Sequence, residues 1–220
     1  MEDGYHPPLE EYLETIHGLA EEGTPVIQAR IAERLGRAAP SVSEMLDRLE
    51  EEGYVERSGR RVVLTPAGSA LAEKVVRRHR LAERLLVDVI GLEWHKVHRE
   101  AGRWEHVISD DVEARLLVLL DNPSTCPHGN PIPGSPALVG DAPSRLSDIK
   151  AGSVVRLQRI SEDVEMDMAW LTFLDDHRFI PGASATVAGR DDDGSVVLDV
   201  EGKSARVSPA LSSRLFVAVL

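Results

Sequence analysis

The chain has 220 residues, a formal net charge of −12, 42% hydrophobic residues and one cysteine. That is enough for two or three small domains with buried cores, while no apolar run approaches the ~20 residues that cross a bilayer and no basic and apolar leader opens the sequence. A lone Cys126 excludes an internal disulfide framework, so the expected location is the reducing cytoplasm, and the acidity weighs against binding to nucleic acid without excluding it.

Residues 9–20 read as an amphipathic helix with Leu9, Leu13, Ile16 and Leu19 on one face and Glu10, Glu11 and Glu14 off it. A second helix runs from Gln28 to Leu35 and stops at Gly36. A third opens at Pro40, buries Val42, Met45, Leu46 and Leu49, and stops at Gly53. The period then changes. YVERSGRRVVLT reads as a hairpin turning at Ser58-Gly59, and three helices followed by a hairpin predict a winged helix-turn-helix. In such a domain Ala38, Pro40, Ser41, Ser43 and Glu44 face base edges, and Arg30, Arg34, Arg37, Arg48, Arg60 and Arg61 face the phosphates. Glu44 fits that role least well, since its carboxylate repels phosphate and accepts only from a donor such as cytosine N4.

Thr65-Pro66 caps and opens a helix that continues to Ile90, followed by helices over about 93–107 and 110–120. Val75, Val76, Leu85, Leu86, Val89, Leu116, Leu117 and Leu119 exceed what one small bundle buries, which predicts a homodimer. The segment 122–144, rich in Pro, Gly and Ser, reads as an ordered loop leading into a linker. Beyond it VVRLQRI, ATVAGR, SVVLDV, SARVS and LFVAVL are short β runs, interrupted by a helix-like MAWLTFLDDH, and predict a small β-barrel.

The helical stretch carries the chemistry. His79 and Glu83 stand four apart, and His98, Glu105 and His106 fall at i, i+7 and i+8, so each set reads as one stripe of a helix. Two such helices offer three or four N/O ligands, a set that suits Mn, Fe, Co, Ni or Zn. Seven helical residues span about 10 Å, which favours two metal positions over one. Cys126 and His128 form a C-x-H pair, read as a packed loop thiol rather than as ligands, and His6, His17, His95 and His177 as surface or structural residues.

EEYLETIHGL, RIAERL, APSVSEMLDRLEEEGYV, VLTPAG, RRHRLAERLL, KVHREAGRWEHVISD and GNPIPG, in this order, resemble the diphtheria toxin repressor family of iron- and manganese-dependent regulators over nearly the whole chain. The resemblance implies a mainly α, α+β protein. Its parts are a winged helix-turn-helix over 1–73, a helical dimerisation and metal-binding domain over 74–127, a loop and linker over 128–149, and an SH3-like (FeoA-like) domain over 150–220. It implies a metal-dependent transcriptional repressor that is not an enzyme. The protein would bind double-stranded operator DNA as a homodimer, with Mn(II) or Fe(II) as corepressor and two ions per subunit, and would take no membrane or small organic partner.

The ancillary site implied is His79, Glu83 and His98, completed by an acidic residue of the third domain, Glu165 or Asp167. The primary site implied is Glu105, His106, the carbonyl of Gly102, and Glu11 with Glu14 from the first helix. The family's iron branch has methionine and cysteine where this chain has Glu11 and Gly102, and its manganese branch has a carboxylate at 102. The chain keeps Glu11 and Glu14 but offers no side chain at 102. Two rivals stand beside this reading: a metal-independent winged-helix regulator, and a metallohydrolase, which would require a general-base motif such as HExxH that the sequence lacks.

Overall fold

A computed structural model describes residues 8–136 and 142–220. In chain order it runs α1 (Pro8–Glu21), α2 (Gln28–Leu35), α3 (Ala39–Glu51) and the hairpin β1 (Val55–Ser58) and β2 (Arg61–Leu64). Next come α4 (Pro66–Arg84), a π-helical segment (Leu85–Ile90), a 3-10 turn (Trp94–Lys96), α5 (Val97–Ala101) and α6 (Asp110–Leu119). After β3 (Ser144–Arg145) follow β4 (Val154–Ile160), α7 (Glu162–Glu165), α8 (Met168–Asp176), β5 (Ser184–Arg190), β6 (Val196–Val200), β7 (Lys203–Val207), α9 (Pro209–Ser212) and β8 (Leu215–Val219). His6 lies outside the described residues, as does the middle of the expected linker.

The first three helices and the hairpin close over a core of Leu13, Ile16, Leu19, Ile31, Val42, Leu46, Leu49 and Val62. Gly36 takes a left-handed φ of 60° to end α2, and Gln28 Nε2 donates to the Ala39 carbonyl at 2.9 Å, fixing the turn between α2 and α3. In the hairpin Ser58 pairs with Arg61, so the turn residues are Gly59 and Arg60, one position later than expected. Thr65 caps α4 by accepting from the Gly68 amide at 3.1 Å.

The second core gathers Leu81, Ala82, Leu86, Val97, Ala101, Ile108, Leu116 and Ile132. Here the expected helix over 93–107 is cut short: α5 ends at Ala101, Gly102 is its C-cap, and residues 102–107 run as turns. Trp94 is the reason the front end breaks. Its ring joins the core of the third domain, not the second, and its indole donates to the Pro127 carbonyl at 3.0 Å. Of the aliphatic surplus, Val75, Val76, Leu86 and Leu116 are buried within the chain, whereas Val89 and Leu119 stay exposed beside Ile90, Val107, Val112 and Val118.

The third domain is a six-stranded antiparallel sheet in the order β3-β8-β4-β5-β6-β7. Register shifts in β4 at Leu157/Arg159 and in β5 at Val187/Gly189 bend it around Val155, Leu157, Val187, Leu198 and Val217. The two short helices α7 and α8 sit between β4 and β5, and α7 reaches back to the other domains.

Candidate metal centre

Glu83, on α4, is fully buried and stands at the middle of an inner cluster. Its Oε1 lies 3.1 Å from His79 Nε2, 3.2 Å from His98 Nδ1 and 3.1 Å from His128 Nδ1. Glu165 Oε2, from α7, lies 3.0 Å from His98 Nδ1 and 3.1 Å from His128 Nδ1. His79 Nε2 and His98 Nδ1 are 3.0 Å apart. Ligand atoms bound at about 2.1–2.2 Å around a six-coordinate ion are separated by about 3.0–3.1 Å along each edge, so this spacing suits a shared ion.

His79, Glu83, His98 and Glu165 make one group that could hold a metal, and Glu83 with Cys126 and His128 makes another. The two share Glu83. Asn130 orients Glu165 by donating to its Oε1 at 2.5 Å and to the Ile160 carbonyl at 3.1 Å.

The loop that brings Cys126 and His128 in depends on Gly129. Its φ of +87° is left-handed, and a side chain there would collide with the Gln158 carbonyl of β4. The Ile160 amide donates to the His128 carbonyl at 3.1 Å, so the loop is pinned to the third domain. Sequence reasoning set this pair aside because C-x-H alone is a weak signal. The glycine that directly follows the pair, Gly129, is the available clue. Between the two candidates from the third domain, Glu165 enters the cluster, while Asp167 caps α8 by accepting from Ala169 and Trp170.

An outer cluster lies across His79. Its Nδ1 meets Glu105 Oε2, and Glu14 from α1 completes a group that could hold a metal. His106 Nε2 is 2.9 Å from Glu105 Oε1, and its Nδ1 is 2.6 Å from Glu10 Oε2. Gly102 and Glu11 line the same cleft of about 590 Å³. Glu11, however, points its Oε2 to within 3.7 Å of Arg37, so Glu10 and Glu14 rather than Glu11 face the histidines. The helix explains the exchange: Glu10 and Glu14 are one turn apart on one face, and Glu11 is rotated by about 100°.

The electrostatics are those of a site charged with protons. Burial opposes a charge on His98, but the Glu165 and Glu83 carboxylates outweigh it and lift the imidazole to about 9. Burial likewise works against His79 and His128, yet Glu83 with Glu105 raises the first well above the usual range and Glu165 with Glu83 raises the second. Against the same burial, the histidines hold Glu165 and Glu105 down to about 2. Glu14 is the exception: burial first, then the Glu105 carboxylate, push it well up. Burial and then Glu83 raise the Cys126 thiol to about 11. Among the described residues, Glu83 Oε2 and His128 Nε2 are buried without a hydrogen-bond partner. Unpaired buried atoms on two residues of one polar cluster fit a ligand set for a cation, since buried polar groups are otherwise satisfied. The residues fit a divalent metal.

At the other end of the molecule, Ala38, Pro40, Ser41 and Glu44 are exposed at the start of α3, with Ser43 half-buried. Arg60 and Arg61 are exposed on the wing, and a groove between wing and α3 is lined by Gln28, Ala39, Arg57, Arg60 and Arg61. Arg30 and Arg48 are exposed and paired within their helices to Glu33 and Glu52. Arg34 is different: it is buried against Glu22, Glu162 and Asp163 and cannot reach a phosphate.

A winged helix joined to a buried cluster of histidines, carboxylates and a thiol defines a metal-responsive DNA-binding regulator. Models of three domain families match the chain: the iron dependent repressor N-terminal DNA binding domain over residues 6–63, the iron dependent repressor metal binding and dimerisation domain over 65–134, and the FeoA domain over 144–219. The chain belongs to the iron-dependent repressor family and is a transcription regulator, not an enzyme. It is 49% identical over 189 residues to the iron-dependent repressor IdeR of Mycobacterium tuberculosis (strain ATCC 25618 / H37Rv), covering 81% of this chain and 82% of that protein. It is 41% identical over 220 residues to the diphtheria toxin repressor of Corynebacterium diphtheriae, covering 96% of each. A solved manganese-dependent transcriptional repressor in complex with manganese superposes with a TM-score of 0.85 at 30% identity, covering 96% of this chain and all of that one. No helix among the described residues is long and apolar enough to cross a membrane.

Proposed function

We propose that the chain represses transcription in the cytoplasm by binding operator DNA as a homodimer when Mn(II) or Fe(II) is bound, with two ion positions per subunit. The observation that carries this reading is the origin of the donors. Glu14 belongs to the DNA-binding domain, His79, Glu83, His98 and Glu105 to the helical domain, Cys126 and His128 to the loop, and Glu165 to the third domain. A divalent ion supplies a fixed positive charge that replaces the histidine protons and neutralises the converging carboxylates.

The inner position would be held by Glu83, His98 and Glu165 with His79 or with Cys126 and His128. The outer position would be held by Glu14 and Glu105, with His79, His106 and the Gly102 carbonyl beside them. Oxygen-rich surroundings at the outer position favour Mn(II), and the thiol near the inner one favours Fe(II) or Zn(II). His79 can serve one position directly at a time, because a neutral imidazole that binds through one nitrogen keeps its other N–H to donate to a carboxylate. Holding α1 against α4 and Glu105 sets the orientation of the winged helix, so a metal-free chain incurs an ordering cost before it fits successive major grooves. On α3, Ala38, Pro40, Ser41, Ser43 and Glu44 would meet base edges, with Arg30, Arg48, Arg60 and Arg61 on the phosphates. The exposed Val89, Ile90, Val112, Val118 and Leu119 support the dimer.

The test is binding to a duplex selected from a random pool in the presence of Mn(II), followed by fluorescence anisotropy. The reading predicts at least tenfold tighter binding with Mn(II) or anaerobic Fe(II) than with chelator, and a sedimenting dimer. Affinity indifferent to the chelator would establish a metal-independent regulator instead.

A further inference from the structure

Arginine side chains are seldom buried unless paired, and that of Arg34, on α2, is 7% exposed. Its Nη2 is 2.8 Å from Glu22 Oε2 just past the end of α1, its Nε 2.5 Å from Asp163 Oδ1, and its Nη1 3.2 Å from Glu162 Oε2. Glu162 and Asp163 lie on α7 of the third domain, and the Glu162 amide donates to Glu22 Oε1 at 2.9 Å. The approach is close: a side chain at Gly18 on α1 would strike the Glu162 carboxylate. Three residues further along the same short helix, Glu165 enters the inner cluster with His98 and His128. The four residues of α7 therefore face the metal cluster at one end and the DNA-binding domain at the other. Trp94 and the His128 loop also fasten the third domain to the helical domain.

We propose that α7 is a strut that transmits occupation of the inner cluster to the helix-turn-helix through Arg34, which acts as a positioning residue for α2. This rests on the metal-dependent reading above. It adds a second route from ion to DNA reader, distinct from Glu14 on α1. An ion that fixes Glu165 fixes α7. The carboxylates of Glu162 and Asp163 then hold the guanidinium, and with it α2, in one orientation relative to α4. By linkage, whatever the strut adds to DNA affinity it adds equally to ion affinity in the DNA complex.

The experiment uses the full chain and Mn(II), with Arg34→Met, Arg34→Lys, Asp163→Asn and the Arg34→Met/Asp163→Asn double variant. Three quantities are read: Mn(II) binding by calorimetry without DNA, DNA affinity with Mn(II) and with chelator, and amide exchange in Gln28–Leu35. In the parent chain Mn(II) should slow exchange in α2. In Arg34→Met, ion binding without DNA and chelator-state DNA affinity should stay within about threefold, while the gain in DNA affinity on adding Mn(II) falls about tenfold and α2 exchange no longer responds. Arg34→Lys should recover part of the gain, and the double variant should lose no more than Arg34→Met, the signature of one shared interaction. Equal loss of DNA affinity with and without Mn(II) would overturn the strut, because Arg34 would then act on DNA or on the fold alone. So would Mn(II) binding in the parent chain without any response in α2. A parent chain that binds no Mn(II) at all would overturn the functional reading itself, and the strut with it.

Discussion

The inner and outer clusters share His79 yet are built differently. The inner one is closed: its donors come from α4, α5, the 126–130 loop and α7, Glu83 and His128 are fully buried, and Asn130 holds Glu165 in place. The outer one draws its carboxylates from only two places, Glu14 on α1 and Glu105 in the turns after α5, and lines the cleft beside Gly102. A site with ligands from several segments binds ions and shapes the fold; a site at the contact of the winged helix with the helical domain is suited to respond. On the proposed function, the inner cluster is the anchor and the outer cluster the sensor.

Removing the carboxylate at the middle of the anchor should have the largest effect. Glu83→Gln should weaken Mn(II) binding at the inner position by more than ~100-fold. Because breaking a buried charged cluster costs about 3–5 kcal/mol, the metal-free chain should also unfold at lower urea. Calorimetry and urea titration check both. The counterpart at the sensor, Glu14→Gln, should leave inner binding and stability near the parent values, since it removes a carboxylate already pushed well up by burial and Glu105. It should reduce the metal-induced gain in DNA affinity by about 10- to 100-fold, read by anisotropy. If Glu14→Gln destabilised the chain as much as Glu83→Gln, the distinction between anchor and sensor would fail.

Much of this was legible in the sequence. His79 and Glu83 follow from i,i+4 spacing, and α2 from Gln28 to Gly36 from its pattern and its stop. The alternation in 154–160 and 196–200 becomes β4 and β6. The failures are tertiary. Periodicity carried a helix through 93–107 because nothing local says that Trp94 is claimed by another domain's core or that the chain turns after Ala101. Glu10, Glu11 and Glu14 are equivalent by composition, and only the docking of α1 on α4 decides which of them faces the histidines. Arg34 looked like any surface arginine of a DNA-binding helix. Its burial depends on α7, 128 residues further along the chain, a four-residue helix too short to carry a periodic signal. The placing of Cys126 and His128 beside Glu83 rests on a loop docking against β4, which no spacing within the loop encodes.

Filling the sensor's gap should have an intermediate effect. Gly102 has a helical φ of −59°, and a Cβ there would meet only the His98 and Arg99 carbonyls at 3.7 and 3.9 Å. Gly102→Glu therefore fits, should tighten outer Mn(II) binding by about tenfold, and should stabilise the chain by about 0.4–1 kcal/mol by restricting the unfolded chain. Unchanged Mn(II) affinity in a stabilised variant would put position 102 outside the ligand set.

The smallest effect is expected from pH, and it has a definite sign. In the metal-free chain His98 holds its proton up to about 9 and His79 and His128 are also raised. Their charge contributes stability that is fully present below the ordinary histidine range and is lost as pH rises through those raised values. An ion must displace these protons, so Mn(II) affinity at the anchor should rise with pH between about 6 and 9. Calorimetry in buffers of different ionisation enthalpy should show net proton release at neutral pH, and an absence of release would mean that the histidines stay outside the ion's reach.

The most direct measurement is anomalous X-ray scattering from crystals of the chain loaded with Mn(II), recorded at the manganese absorption edge. The account predicts two peaks per subunit, one bounded by Glu83, His98 and Glu165 and the other by Glu14 and Glu105, with the ring of His79 between them. A single peak, or peaks away from both clusters, would contradict it.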